Sequence, residues 1–282
     1  MKFLRFGDMG AERPGVMGDD GKIRDISGLL QDIDPAAFAS GALERLDPAA
    51  VMACPEVPDG TRLAAPVART GNFLAIGLNY VQHALETNSP IPEEPILFNK
   101  ASSCISGPHD PVLLPPGSEK LDWEVELAFV IGKRAFRVTE EESLAHVFGY
   151  MVCNDVSERH FQLERGGLWT KGKCYPTHGP LGPYLVTSDE VGDPQSLGLW
   201  LEVNGERLQN SNTDDMIFPV AKIVSYLSQF LVLEPGDIVT TGTPQGVGLG
   251  MVPERFLRAG DVMALGIDKL GTQRQTVTPL EG

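Results

Sequence analysis

The segment Asp122-Trp123-Glu124-Val125-Glu126-Leu127 alternates acidic and apolar residues. Read as a strand, it puts three carboxylates on one face and Trp, Val and Leu on the other, because side chains alternate along extended backbone. Like charges this close, with no Lys or Arg between them, repel one another, and a bound cation removes the repulsion. An all-oxygen donor set selects Mg²⁺, Ca²⁺ or Mn²⁺ over zinc. The same stripe fits the wet face of a half-exposed strand, and the segment alone leaves the two readings level. Asp155 closes the apolar run Tyr150-Met151-Val152-Cys153-Asn154. It offers either a further ligand or the N-cap of a helix starting near Ser157, a role Ser157 itself can fill. His83 and Glu86, three residues apart, share a face if their segment is helical. The carboxylate can then hold the imidazole and raise its basicity, as a general base requires, although a surface ion pair has the same spacing. Lys171-Gly172-Lys173 lies in a turn-rich run ending Gly179-Pro180-Leu181-Gly182-Pro183. It reads as a solvated basic loop from which one lysine can reach a site.

These residues need strands and short helices to position them. Apolar runs between Gly/Pro turns predict strands at Lys2 to Phe6, Lys22 to Ile26, Phe73 to Gly77, Ile96 to Phe98, Glu124 to Ile131 and Gly149 to Asp155. Further strands are expected at Tyr184 to Thr187, Leu199 to Val203, Asp237 to Thr241 and Val262 to Ile267. Asn204-Gly205 is the strongest hairpin signal in the chain. Helices are expected at Pro35 to Ala53, Tyr80 to Thr87, Glu140 to His146, Ser157 to Glu164 and Pro219 to Phe230. The excess of strands without regular βα alternation points to a mainly β α+β fold. Residues 1–65 read as a small N-terminal domain with a connector over Cys54 to Gly71, and 66–282 as the catalytic domain.

With 282 residues, 42% of them hydrophobic and 22% charged, the chain has the composition of a folded globular protein with a substantial core. Its net charge of −15 repels nucleic acid phosphates and anionic lipid surfaces, so no nucleic-acid or membrane partner is expected. A small anionic substrate remains compatible, because a divalent cation reverses the potential locally. Cys54, Cys104, Cys153 and Cys174 show neither paired nor zinc-type spacing, which fits a reducing cytoplasm. Charges at Lys2, Arg5, Asp8, Glu12 and Arg13 interrupt the apolar run a signal peptide needs. The run Gly242 to Gly250 resembles a phosphate loop only superficially, since it lacks the Gly-Lys-Ser/Thr ending. Serine-hydrolase and zincin motifs are absent from the sequence.

Taken in order, the motifs resemble the fumarylacetoacetate hydrolase family. They are Gly-Leu-Asn-Tyr-x-x-His-Ala at 77–84, Asp-Trp-Glu-Val-Glu-Leu at 122–127 and Asn-Asp-Val-Ser-Glu-Arg at 154–159. Lys-Gly-Lys at 171–173, Gly-Pro-Leu-Gly-Pro at 179–183 and Gly-Asp-Ile-Val-Thr-Thr-Gly-Thr-Pro-Gln-Gly-Val-Gly at 236–248 follow. The resemblance implies a mixed β-sandwich roll, a homodimer, and Mg²⁺ held by Glu124, Glu126 and Asp155, with Mn²⁺ or Ca²⁺ as alternatives. It makes His83 and Glu86 a base dyad on a lid helix and Lys173 a catalytic cation facing substrate. Tyr80, Arg159, Gln162 and Thr243 match substrate-binding positions. Phe161 to Trp169 and Gly271-Thr272-Gln273-Arg274-Gln275 resemble the branch with 2,4-diketo-3-deoxy-L-rhamnonate hydrolases and ureidoglycolate lyase-like proteins.

The implied activity is hydrolysis of a 2,4-diketo acid between C3 and C4 to release pyruvate. A lyase, decarboxylase or isomerase on a related 2-keto acid, or a binding protein without turnover, are the other classes. Many relatives carry Asp and Phe where this chain has Pro176 and His178. His178 therefore either offers a polar contact to substrate or packs in the turn before Gly179.

Overall fold

The strand Val125–Ile131 is buried along its whole length and feeds two separate cores. Val125, Leu127, Phe129 and Ile131 enter one apolar cluster together with Trp123, whereas Ala128 and Val130 enter the other. That division is the two-residue period of a strand. In the computed structural model, which describes residues 1–280, this strand is central: Val147–Asn154 flanks it on one side and Ile238–Thr240 on the other. The sheet continues past Val147–Asn154 through Gly179–Thr187, Lys2–Phe6 and Arg13–Met17 to Ile23–Asp25. Past Ile238–Thr240 it continues through Phe73–Gly77 to Ile96–Lys100. Pairing is mainly antiparallel, with Ile238–Thr240 parallel to Phe73–Gly77.

A second sheet runs Glu206–Asn212, Gly198–Val203, Val262–Ile267, Gly271–Pro279, Val112–Leu114. Its Leu199, Leu201, Val203, Met263 and Leu265 share the apolar cluster of the odd-numbered central residues. The helix Val220–Phe230 adds Val220, Ile223, Val224 and Leu227, the spacing of one helical face. The result is the mixed, mostly-strand α+β fold expected. The hairpin between Gly198–Val203 and Glu206–Asn212 turns on Asn204-Gly205, both at positive φ (52° and 82°), as a primed two-residue turn requires.

The structure corrects several local expectations. Pro35 to Ala53 is two helices, Pro35–Ala39 and Pro48–Met52, each capped by an aspartate that precedes a proline. Proline holds Asp47 extended, so one helix cannot run through it. Ser157 to Glu164 is not a helix from its start: Ser157–Glu158 pairs with Leu121–Asp122 as a strand, and a single π-turn follows at His160–Glu164. The Gly/Pro run at 179–183 is extended and forms the first half of Gly179–Thr187, beside a break in register opposite Tyr150 and Val152. Lys2–Phe6 pairs with Gly179–Thr187, and Leu63–Ala64 in the expected connector pairs with Arg5 and Phe6, so residues 1–65 extend the main sheet. Among the described residues, no helix is long and apolar enough to cross a membrane.

Phe129 sits in the centre of this framework with 0% exposure. Phe129→Ala is expected to destabilise the protein by about 3–5 kcal/mol, the usual loss for an aromatic core truncation, read as a lower urea midpoint.

Candidate active site

The even-numbered face of the central strand and its approach is apolar at one end and acidic at the other. Asp122, Glu124 and Glu126 are all buried, at 0%, 4% and 2% exposure, which rules out the solvated stripe. Val147–Asn154 runs antiparallel beside them and ends with Asn154 opposite Val125. That register delivers Asp155 next to Glu124, whose carbonyl accepts the Asp155 N–H at 2.9 Å. One carboxylate oxygen each from Glu124, Glu126 and Asp155 lies within 4.8 Å of the other two.

Three buried cations face this cluster. Lys173 Nζ donates to Glu124 Oε2 at 2.6 Å and to Asp155 Oδ2 at 2.7 Å. Lys100 Nζ donates to Asp155 Oδ1 at 2.6 Å and to the carbonyls of Lys173 and His178. Arg159 donates Nη2–H to Glu124 Oε1 at 2.7 Å, Nε–H to Asp122 Oδ2 at 2.8 Å and Nη1–H to Gln162 Oε1 at 3.0 Å. Burial alone would raise the Glu124 carboxyl, but Lys173 and Arg159 outweigh it and hold the group at about 2. Burial likewise favours neutral Lys100, and Asp155 reverses that and keeps it charged.

Glu126 differs from its neighbours. It accepts the Gly242 N–H at 2.9 Å and has no cationic hydrogen-bond partner among the described residues. Burial, then the charges of Asp155 and Glu124, push its carboxyl well above the ordinary value. A buried anion beside two others, with oxygen donors converging from all three, fits a hard divalent cation, which would relieve the repulsion that raises Glu126. Glu124, Glu126 and Asp155 are the residues that would hold it.

His83 lines one cavity together with these carboxylates, and Glu86 is hydrogen-bonded to His83. Helix Val81–Glu86 places them on one face, with His83 Nδ1 2.9 Å from Glu86 Oε1, while Glu86 Oε2 accepts the Gly246 N–H at 2.9 Å. The cavity that His83 and the carboxylates line holds about 120 Å³. Arg159, Gln162, Lys173 and Thr243 share its polar lining, Leu78, Phe98, Leu163, Trp169 and Leu249 form apolar walls, and Thr87 and Ser89 add hydroxyls.

Residues 72–278 match the family described as fumarylacetoacetate (FAA) hydrolase C-terminal. The chain belongs to the fumarylacetoacetate hydrolase family. It is 52% identical to a 2,4-didehydro-3-deoxy-L-rhamnonate hydrolase of Sphingomonas sp. (strain SKA58), over 99% of this chain and 96% of that one. It superposes on the fumarylacetoacetate hydrolase of Exiguobacterium antarcticum with a TM-score of 0.89 and 34% identity, covering 99% of this chain and 100% of that one. The maleylpyruvate hydrolase of Sphingobium sp. SYK-6, solved with manganese(II) and pyruvate, matches at a TM-score of 0.81 and 30% identity across the full length of both chains.

The residues singled out from this family's motifs fall into two groups. His83, Glu86, Glu124, Glu126, Asp155, Arg159, Gln162 and Lys173 converge on the cavity region, with Glu86 behind His83. Asp155 is no helix cap, since Ser157 begins a strand, and the short helix Thr170–Lys173 leaves Lys171 exposed but buries Lys173. Thr243 lines the cavity with its hydroxyl already engaged, donating to the Val125 carbonyl and accepting from Gln209.

Tyr80 is absent from the cavity lining. Extended backbone at the start of its helix turns the ring into the core, its hydroxyl is buried with no hydrogen-bond partner among the described residues, and the residue also lines a separate small cavity with Asp215 and Gln245. Burial, then Glu126 and Asp215, keep the phenol protonated. His178 also points away: it is fully buried, with Nε2 3.0 Å from the Leu113 carbonyl, and burial lowers the imidazole to about 3. Its neutral ring packs in the turn against Tyr175 and does not offer a contact to substrate.

Lys100 escaped the sequence reading, although a signal was present. It continues the alternation Ile96, Phe98, Lys100, two residues past the expected end of that strand, and so shares a face with cavity-lining Phe98. Glu126→Gln should abolish divalent-cation binding in titration calorimetry. Because Glu126 has no cationic partner to lose among the described residues and its surroundings disfavour its ionised form, the metal-free variant should melt no lower than wild type.

Proposed function

We propose that this chain is a divalent-cation-dependent hydrolase that cleaves a 2,4-diketo acid between C3 and C4 and releases pyruvate. The substrate we assign is 2,4-diketo-3-deoxy-L-rhamnonate, with L-lactate as the second product. The observation that carries this reading is a carboxylate-held histidine and a buried three-carboxylate cluster lining one small cavity. The Sphingomonas relative carries the corresponding name, and pyruvate and manganese accompany the Sphingobium hydrolase.

Charge supports an anionic substrate. In the buried cluster at and behind the cavity wall, Asp122, Glu124, Glu126 and Asp155 stand against Arg159, Lys100 and Lys173, a surplus of one negative charge when all four carboxylates are ionised. A divalent cation turns the surplus positive by one, which a monocarboxylate cancels. When bound, the cation supplies Lewis-acid polarisation of the substrate's keto oxygen.

The chain's own residues supply the rest. Arg159 uses one hydrogen on each of its three nitrogens for the protein and retains one on each terminal nitrogen for the substrate carboxylate. Glu86 holds His83 Nδ1, which leaves Nε2 to take a proton from water as its oxygen adds to C4. When the C3–C4 bond breaks, its electron pair passes to C3 and is shared with the C2 oxygen, near the fixed charge of Lys173. Protonation at C3 gives pyruvate, and the added oxygen leaves in the second carboxylate. The hydroxyls of Thr87 and Ser89 support a substrate carrying a hydroxyl beyond C4. Thr87 is oriented by the His83 carbonyl at 2.9 Å, and Ser89 lies 3.2 Å from it.

Pyruvate release with Mg²⁺ across a panel of acylpyruvates and 2,4-diketo-3-deoxy sugar acids tests the assignment. The L-rhamnonate derivative should exceed acetylpyruvate in kcat/KM by about 10-fold or more. Equal values would remove the sugar-acid assignment, and absence of label from isotopically enriched water in the acid product would replace hydrolysis by a lyase, decarboxylase or isomerase outcome. His83→Ala should lower kcat by roughly 10²–10⁴ while cation binding persists. A near-normal kcat would reduce the dyad to an ion pair.

A further inference from the structure

Two sequence features are not yet fully accounted for: Asp122, the first carboxylate of the acidic stripe, and the far end of the glycine-rich run at 242–250. The structure joins them. Within that run, Gly242 donates its N–H to Glu126 at 2.9 Å and Gly246 to Glu86 at 2.9 Å. Gly248 and Leu249 donate to Asp122 at 2.7 and 3.0 Å. The likeness to a phosphate loop thus has a physical basis: backbone N–H groups converge on anions, and the anions are the protein's own carboxylates. Gly246 has a φ of +100°, and a Cβ there would lie 2.0 Å from the Leu208 carbonyl, so the loop's path depends on glycine.

Asp122 is fully buried and is not part of the cavity lining. Its carboxylate also accepts the Trp123 N–H at 2.9 Å and Arg159 Nε–H at 2.8 Å, so four donors surround two oxygens. That number fills the acceptor capacity of a carboxylate and leaves no lone pair for a metal or a ligand. The loop fixes Asp122, and Asp122 in turn fixes the inner edge of the Arg159 guanidinium. The remaining hydrogens of that fork belong to a side chain that lines the cavity beside Gln162.

We propose that Asp122 is a positioning residue for Arg159, anchored by the Gly248 and Leu249 N–H groups, and that it sets the affinity of the site for the 2-keto acid carboxylate. The proposal rests on the reading of the cavity as a 2-keto acid site, but not on the identity of the substrate or on turnover. A purely structural buried ion pair would weaken binding of any ligand whether or not Arg159 were present.

A double-mutant cycle separates the two roles. Asp122→Asn keeps the shape of the side chain but removes the charge facing Arg159 and replaces one oxygen by an NH2 group, which sets donor against donor either toward Arg159 Nε–H and the Leu249 N–H or toward the Trp123 and Gly248 N–H groups. The affinity of the Mg²⁺-loaded protein for pyruvate is measured by titration calorimetry in wild type, Asp122→Asn, Arg159→Gln and the double variant, with Mg²⁺ affinity recorded for each. Asp122→Asn should weaken pyruvate by about 10-fold or more in the wild-type background and by less than about 2-fold beside Arg159→Gln. Equal losses in both backgrounds, or no loss in either, would overturn the proposal. If Asp122→Asn does not fold, Asp122→Ser, which can still accept a loop N–H, takes its place in the cycle. Wild type that binds no pyruvate refutes the role given to Arg159 and this proposal with it. Wild type that binds pyruvate but releases none from any diketo acid refutes the proposed reaction alone, and the cycle still decides Asp122.

Discussion

The structure depends on a surplus of negative charge in its interior. Among the described residues, four carboxylates are gathered under a strand end where three cations reach them, and one of the four, Glu126, has no cationic partner. Such a cluster is a poor means of stabilisation, because removing each ion from water costs several kcal/mol and well-packed apolar residues often serve as well or better. Its chemical consequence is a set of oxygens that a divalent cation satisfies better than any side chain present. Lys100, Lys173 and Arg159 make the arrangement tolerable without neutralising it.

The cations also arrange the carboxylates. Asp155 is gripped on both oxygens by ammonium groups from separate parts of the chain, and Glu124 is held on one oxygen by a lysine and on the other by an arginine. Each grip fixes a carboxylate rotamer, so the three donor oxygens converge without relying on a ligand to organise them. The dyad is treated similarly. Glu86 has one oxygen on His83 and the other on a backbone N–H, so the imidazole is held in one orientation from a segment far away in sequence.

How much of this could be read from the sequence varies with the range of the interaction. The central strand, the Asn204-Gly205 hairpin and the His83–Glu86 pair depend on periodicity or on residues a few positions apart, and each formed as expected. The start of the expected helix at Ser157 did not, because Ser157 and Glu158 found strand partners at Leu121 and Asp122, which no local pattern encodes. For Lys100 the alternation from Ile96 marked its face, but not its carboxylate partner, which lies 55 residues away. Tyr80 and His178 have polar types suited to a site, yet backbone direction at Tyr80 and full burial at His178 send both elsewhere. Residue type indicated what chemistry was available, and only the register of distant strands decided where it was assembled.

The glycine-rich run carries its contribution in the main chain. Four of its peptide N–H groups hold Glu126, Glu86 and Asp122, and no side-chain replacement deletes a peptide N–H except proline. Conventional alanine scanning would therefore pass over the donors themselves and register only the steric penalty at each glycine, classing the segment as scaffold. Peptide-to-ester exchange, which removes a single N–H and leaves every side chain intact, is the chemistry that can make this part of the site visible.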